Sequence, residues 1–67
     1  MDATNITKDR ITVAFSLAEL AFMSNAINET VEAVEGWEFE TRTGETRERA
    51  MEIMAELGAM LDRAGRL

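Results

Sequence analysis

Apolar residues recur at helical spacing in two stretches of this 67-residue chain, and the first stretch covers positions 17–35. There the apolar residues lie three or four positions apart, which is the period of an amphipathic helix. The stripe consists of Leu20, Met23, Ile27, Val31 and Val34. Ser16 precedes the stretch and Glu19 follows three residues later, which is the pattern of a capping box. The spacing therefore predicts a first helix over residues 17–35.

The same helix carries a second apolar flank. Phe22, Ala26 and Ala33 fall on a different side of the helix from the main stripe. One partner helix cannot cover both sides, so a surface is predicted to remain open for a further contact.

A second helix is predicted over residues 47–64. Thr46 is placed to cap its first turn. One broad apolar face is formed by Ala50, Ile53, Met54, Leu57, Met60, Leu61 and Ala64. Gly58 near that face costs about 1 kcal/mol relative to alanine, unless a close approach of another backbone uses the space.

The remaining segments are short. Residues 1–9 are polar and are predicted to form a flexible tail. Ile11, Val13 and Phe15 alternate with smaller residues, which favours an extended arm. Such a lone strand must pair with a symmetry mate, pair with a partner, or join the first helical turn. Residues 36–46 are predicted to be a connector, in which Phe39 to Gly44 has room for one helical turn.

These elements predict an all-α fold: an antiparallel two-helix hairpin with a short extended N-terminal arm, in one domain over residues 10–67. A chain this short buries only about 60% of its unfolded surface, and without Cys or His it has neither disulfides nor zinc sites. Oligomerisation is the remaining source of stability, so a dimeric four-helix bundle is expected. Its predicted contacts are Phe22, Ala26, Met51, Val13 and Phe15.

The negative net charge argues against two classes of binding partner. The net charge is −6 and the pI is near 4.4, which argues against binding nucleic acid or an anionic membrane surface. No apolar run is long enough to span a bilayer, and the N-terminus does not resemble a signal peptide. The expected compartment is the cytoplasm.

The residue types argue against an enzyme and against a cofactor. Lys8 is the only lysine, and Ser16 and Ser24 have no base to activate them. Four glutamates recur every three residues, a spacing that can bring carboxylates together for Mg²⁺ or Mn²⁺: Glu29, Glu32, Glu35 and Glu38. All-helical nucleotide pyrophosphatases use clustered acidic residues in this general way. The second helix, however, directs its own acidic row away from the first, so a carboxylate metal enzyme is only the third hypothesis.

The acidic residues also support an alternative function. A run of glutamates can mimic phosphates, as in immunity proteins, antitoxins and anti-defence inhibitors that block nucleic-acid-binding proteins. The candidate acidic face consists of Glu29, Glu32, Glu35, Glu38, Glu48, Glu52 and Glu56. The leading hypothesis is a non-enzymatic, self-associating interaction module, and the alternative is an acidic inhibitor of a basic protein.

Trp37 permits two interpretations. It either caps the end of the helical hairpin or forms an exposed apolar patch with Phe22 and Met51. The sequence does not choose between them.

The stretch from Glu19 to Leu61 resembles a group of small bacterial helical-hairpin proteins without a known activity. The similar pieces are Glu19-Leu20-Ala21-Phe22, Asn25-Ala26-Ile27-Asn28-Glu29, Glu38-Phe39-Glu40-Thr41-Arg42-Thr43-Gly44 and Thr46-Arg47-Glu48. The resemblance implies a helical hairpin of bacterial or phage origin. It also implies a structural unit in which Asn25, Asn28, Phe39 and Arg42 tie the connector onto the first helix.

Overall fold

The computed structural model describes residues 1–67, which form two strands followed by three helices. Strands β1 (Asp2–Ile6) and β2 (Ile11–Ala14) pair antiparallel. Helices α1 (Leu17–Ala33), α2 (Gly36–Thr43) and α3 (Arg47–Ala64) follow. The prediction of an all-α two-helix hairpin with an extended arm is therefore wrong. The chain is a small mixed fold with three helices and a β-hairpin.

The β-hairpin replaces both the predicted flexible tail and the predicted lone arm. Residues 2–6 pair with residues 11–14 of the same chain, so the arm finds its partner locally. Hydrogen bonds between Thr7 and Arg10 close the turn. The Thr7 backbone N–H donates to the Arg10 carbonyl at 2.8 Å, and the Arg10 N–H donates to the Thr7 hydroxyl at 3.1 Å. The turn thus provides hydrogen-bond partners for backbone groups in a segment that the sequence predicts to be a flexible tail.

A β-bulge explains why the first strand was missed. Ala3 lies opposite Val13 and Ile6 lies opposite Ile11, with an irregular register between Ala3 and Asn5. Directly opposed residues share a face of the sheet, and an extra residue shifts later side chains by one position. The bulge therefore returns Ile6 to the apolar face, although its odd separation from Ala3 hides the alternation in the sequence.

The start of α1 has the predicted capping box. The Glu19 N–H donates to the Ser16 hydroxyl at 3.1 Å, and the Ser16 N–H donates to a Glu19 carboxylate oxygen at 2.8 Å. The Met1 amino nitrogen lies 3.1 Å from the same carboxylate. The Ser16 N–H first, and the amino group next, lower the pKa of Glu19 below its ordinary value. The box fixes the base of the hairpin to α1, which ends at Ala33 and not at residue 35.

Most of the predicted connector is a helix. Helix α2 ends at Gly44, whose φ of 83° is left-handed and favours glycine. Its Phe39 is the most buried residue of the chain, 2% exposed, and packs with Val31 of α1 and Ala50 of α3. An eight-residue helix is marginal alone, so this packing is what holds it in place.

Helix α3 has the predicted bounds, and Thr46 caps it by accepting the Arg49 N–H at 3.1 Å. The start of α3 packs against the end of α1. There the Arg47 guanidinium donates to the Val31 carbonyl at 2.8 Å. A cation at the negative end of the α1 dipole is favourable, so this bond helps fix how α3 lies on α1.

The core is small and the molecule is thin. Only Leu20, Val31, Phe39 and Ala50 are buried. The Cα extents are 38 × 32 × 16 Å, so the molecule is much shorter along one axis than along the other two. The three helices share this small core, in which Val31 of α1, Phe39 of α2 and Ala50 of α3 meet. The base of the β-hairpin joins them through the Met1–Glu19 ion pair and the Ser16–Glu19 capping box.

None of the three helices combines the length and the apolar character that a membrane crossing demands.

Candidate interaction surface

An open groove runs between the three helices. Its volume is about 300 Å³. Its lining consists of Ala26, Ile27, Thr30, Phe39, Thr43, Glu45, Ala50 and Ile53. Helix α1 forms one wall, α3 forms the other, and α2 closes one end. The packing of Phe39 builds this groove because it holds α2 across the ends of the other two helices.

The polar side chains on the groove lining are already hydrogen-bonded within the chain. The Thr30 hydroxyl donates to the Ala26 carbonyl at 2.8 Å, and the Thr43 hydroxyl donates to the Phe39 carbonyl at 2.7 Å. With both hydroxyls engaged, Glu45 is the only charged residue on the lining. Such a surface suits an apolar contact better than a polar ligand.

A second crevice extends the apolar surface toward the hairpin. Its volume is about 540 Å³ and its lining consists of Met1, Ala18, Glu19, Phe22 and Met23. Phe22 is 72% exposed. It lies one turn before Ala26, so both belong to one flank of α1. The crevice and the groove therefore follow each other along α1. We call the surface that they form, with Phe22 and Ala26 at its centre, the groove side.

Met51 is not on the groove side. It is 51% exposed and lies two positions before Ile53, or about 160° around the helix from that groove residue. Gly58, two turns further along, shares the flank of Met51, and no atom would meet a Cβ there within 4 Å. The structure therefore does not bring Met51 together with Phe22 and Ala26.

The predicted arm contacts lie on the apolar face of the β-hairpin. Val13 and Phe15 are half-buried near its base, whereas Ile6 and Ile11 are 70% and 63% exposed. Ile6 is a candidate contact that sequence reasoning missed. The only signal for it was one isoleucine in a polar segment, and its pairing with Ile11 becomes visible only through the bulge.

The structure distributes the acidic residues over separate surfaces. Arg42 lies 3.4 Å from Glu38, and Arg49 lies 3.1 Å from Glu52 and 3.6 Å from Glu56. The hydrogen bond to Glu52 raises the pKa of Arg49. No ion pair involves Glu29, Glu32, Glu35 or Glu48.

The two acidic rows do not merge into one face. Glu29 and Glu32 lie on the side of α1 away from α3, and Glu48 and Glu52 lie on the side of α3 away from α1. No group of three or more acidic residues is close enough to hold a metal ion.

Trp37 does not cap the helical hairpin. Its side chain is 81% exposed in the first turn of α2, and Phe39 fills the position at the end of the core. Of the unit implied by the resemblance, only Phe39 is buried. Asn25 and Asn28 are exposed, and Arg42 pairs within α2.

Comparison of the chain with known family models, with characterised proteins and with solved structures finds no match.

Proposed function

We propose that this protein is a non-enzymatic interaction module that works as a homodimer, in which a second copy covers the groove side. One observation carries the proposal. A single copy exposes 5444 Å², whereas a compact monomer of this mass exposes about 4,200 Å². The isolated chain therefore leaves roughly 1,200 Å² more surface in water than a self-contained domain of its size.

The dimensions support the same proposal independently. The radius of gyration is 13.4 Å, and a compact domain of this length has about 11 Å. Folded domains are normally built from at least two packed layers around a core. With only four buried residues and a radius of gyration above that of a compact domain, one copy has the dimensions expected of part of a larger unit.

The size of the open surface fits a second copy. A stable interface buries about 800 Å² on each partner, and the excess of this chain is larger than that. Phe22, Ala26 and Ile53 would supply an apolar centre, and Glu45 would lie at the rim. With neither disulfide nor zinc site to supplement the core, dimer formation is the source of stability that the fold still has.

The chemistry of the groove supports a non-enzymatic role. Both threonine hydroxyls on the lining donate to main-chain carbonyls of their own helices, and no histidine or cysteine occurs in the chain. A nucleophile with an adjacent base has no candidate there.

Replacing Phe22 with glutamate tests the proposal. The variant is expected to raise the dimer dissociation constant roughly a hundredfold or more, because burial of the phenyl ring is lost and a charge enters an apolar contact. Sedimentation equilibrium measures the constant, and circular dichroism checks the helices. Met51→Glu is the matched control, since it also replaces an exposed apolar residue but lies away from the groove side.

The two variants separate the possible outcomes. A dimer weakened by the Phe22 change and not by the Met51 change supports the proposed interface. Equal effects, or a wild-type chain that stays monomeric at near-millimolar concentration, would contradict it. Phe22→Leu is expected to keep the dimer, because leucine preserves an apolar contact at this position.

The acidic inhibitor of a basic, nucleic-acid-handling protein is the second proposal and has less support. It is favoured by four carboxylates that make no ion pair within the chain. They are divided among the three helices: Glu29 and Glu32 in α1, Glu35 at the start of α2 and Glu48 in α3. Binding of this kind would weaken steeply with added salt, and a flat salt response would exclude it.

A further inference from the structure

The outer part of the β-hairpin's apolar face, at Ile6 and Ile11, is largely uncovered by its own chain. Ile6 and Ile11 oppose each other across the strands and are 70% and 63% exposed. All five residues of β1 and three of the four residues of β2 are exposed to solvent. A two-stranded hairpin is marginally stable alone in water and needs a surface on which to pack. The β-bulge places Ile6 on the same face of the hairpin as Val13 and Ile11.

The dimensions of the hairpin match those of the groove side. A five-residue strand spans about 17 Å, and the α1 flank from Phe22 to Ala33 spans about 17 Å. That flank borders the groove and carries the highly exposed Phe22, with the exposed carboxylate of Glu29 seven positions later on the same side of α1.

Charge favours the same pairing. Lys8 and Arg10 stand in the hairpin turn, and Asp2 and Asp9 balance them within residues 1–16. The net charge of −6 therefore resides in the helical part of the chain. A hairpin that lies across another copy brings two cations to an acidic surface, which favours association.

We propose that the dimer is formed by exchange of hairpins: the apolar hairpin face of each copy packs on the groove side of the other copy. Ile6, Ile11 and Val13 contact the flank of Phe22 and Ala26 in the partner, and the exchange is reciprocal about a two-fold axis. This inference rests on the proposed function, and it names the segment that occupies the groove side.

Cysteine trapping tests the exchange, and the chain has no cysteine of its own to interfere. The double variant Ile11→Cys/Ala26→Cys is prepared unlabelled and in ¹⁵N-labelled form, the two are mixed through unfolding and refolding, and the mixture is oxidised with glutathione disulfide. A peptide pair that joins labelled and unlabelled halves proves a link between two copies. Thr12→Cys/Ala26→Cys is the matched control, because Thr12 lies on the other face of the hairpin.

The expected result is a disulfide between copies that joins positions 11 and 26, with a yield at least several times that of the control. A link within one copy, or equal yields for the two variants, would overturn the exchange. Light scattering on the same samples separates the two claims. A dimer without the 11–26 link overturns hairpin exchange alone, and a monomer overturns the proposed function with it.

Discussion

The phenyl ring of Phe39 contacts both long helices at once. It is 2% exposed and packs with Val31 and Ala50, so one side chain fixes α2 and closes one end of the groove. Two residues earlier, Trp37 is 81% exposed. Although both are large aromatic residues in one short helix, their effects on stability should therefore differ sharply.

Phe39→Ala is expected to cost about 3–5 kcal/mol of unfolding free energy, which equals the whole stability that a core of this size supplies. Trp37→Ala should change it by less than about 0.5 kcal/mol. Urea titration followed by circular dichroism, at one fixed protein concentration, measures both. Similar losses for the two variants would show that the core is not centred on Phe39.

Glu19 links stability to pH. Its pKa is lowered in the folded chain, first by the Ser16 N–H and next by the Met1 amino group. A lowered pKa means that the carboxylate stabilises the fold above its unfolded pKa of about 4.3 and that this contribution disappears as the pH falls through the folded pKa.

We therefore expect the melting temperature of the wild-type chain to fall on acidification below about pH 4.3. The melting temperature of Glu19→Gln should fall less over the same pH range. Thermal melts at several pH values measure this difference. NMR titration of the Glu19 side chain checks the direction of the shift directly, and a pKa at or above the ordinary value would contradict the account.

At the scale of single residues, the sequence predicts the caps, the open flank and the apolar positions of Leu20, Val31 and Ala50, but not the burial of Phe39. Ser16, Glu19 and Thr46 were predictable because a capping pattern is local. Phe22 was predictable as an exposed residue because helical spacing alone places it off the main stripe. The burial of Phe39 in preference to Trp37 was not, since it depends on how α2 crosses the other helices.

The helices and strands differ in how clearly the sequence predicts them. Helix α3 was predicted with correct bounds, and α1 to within two residues of its end, because both repeat a helical period over four or more turns. Helix α2 is too short for a period to show. Strand β1 contains one strong β-former, Ile6, and its bulge breaks the alternation that would have revealed it.

The β-hairpin should be stable only where a second copy covers it. We expect the amides of β1 and β2 to exchange with deuterium faster at low than at high protein concentration, because dissociation removes the surface on which the hairpin packs. Amides near Ala50 in α3 serve as the internal reference. Hydrogen exchange followed by mass spectrometry at two concentrations measures this, and hairpin protection that is independent of concentration would count against hairpin exchange.

The whole molecule exposes more surface and is more extended than a compact monomer of its mass. Only four residues are buried, because the 67-residue chain divides its apolar positions among more surfaces than it can cover. The sequence indicated this surplus through the two flanks of α1. The sequence does not predict the exposed apolar face of the hairpin, because that face forms only when β1 and β2 pair.

Such a molecule should fold and associate in one step, as obligate dimers do. Its melting temperature should then rise with protein concentration, unlike that of a self-contained monomer.

The most direct measurement is the absolute mass in solution by light scattering, from low-micromolar to near-millimolar concentration. The account predicts a mass twice the 7.5 kDa of one chain over most of that range, with helical signal lost wherever the dimer dissociates. A fully helical species of 7.5 kDa at every concentration would contradict the central claim that a second copy completes the fold.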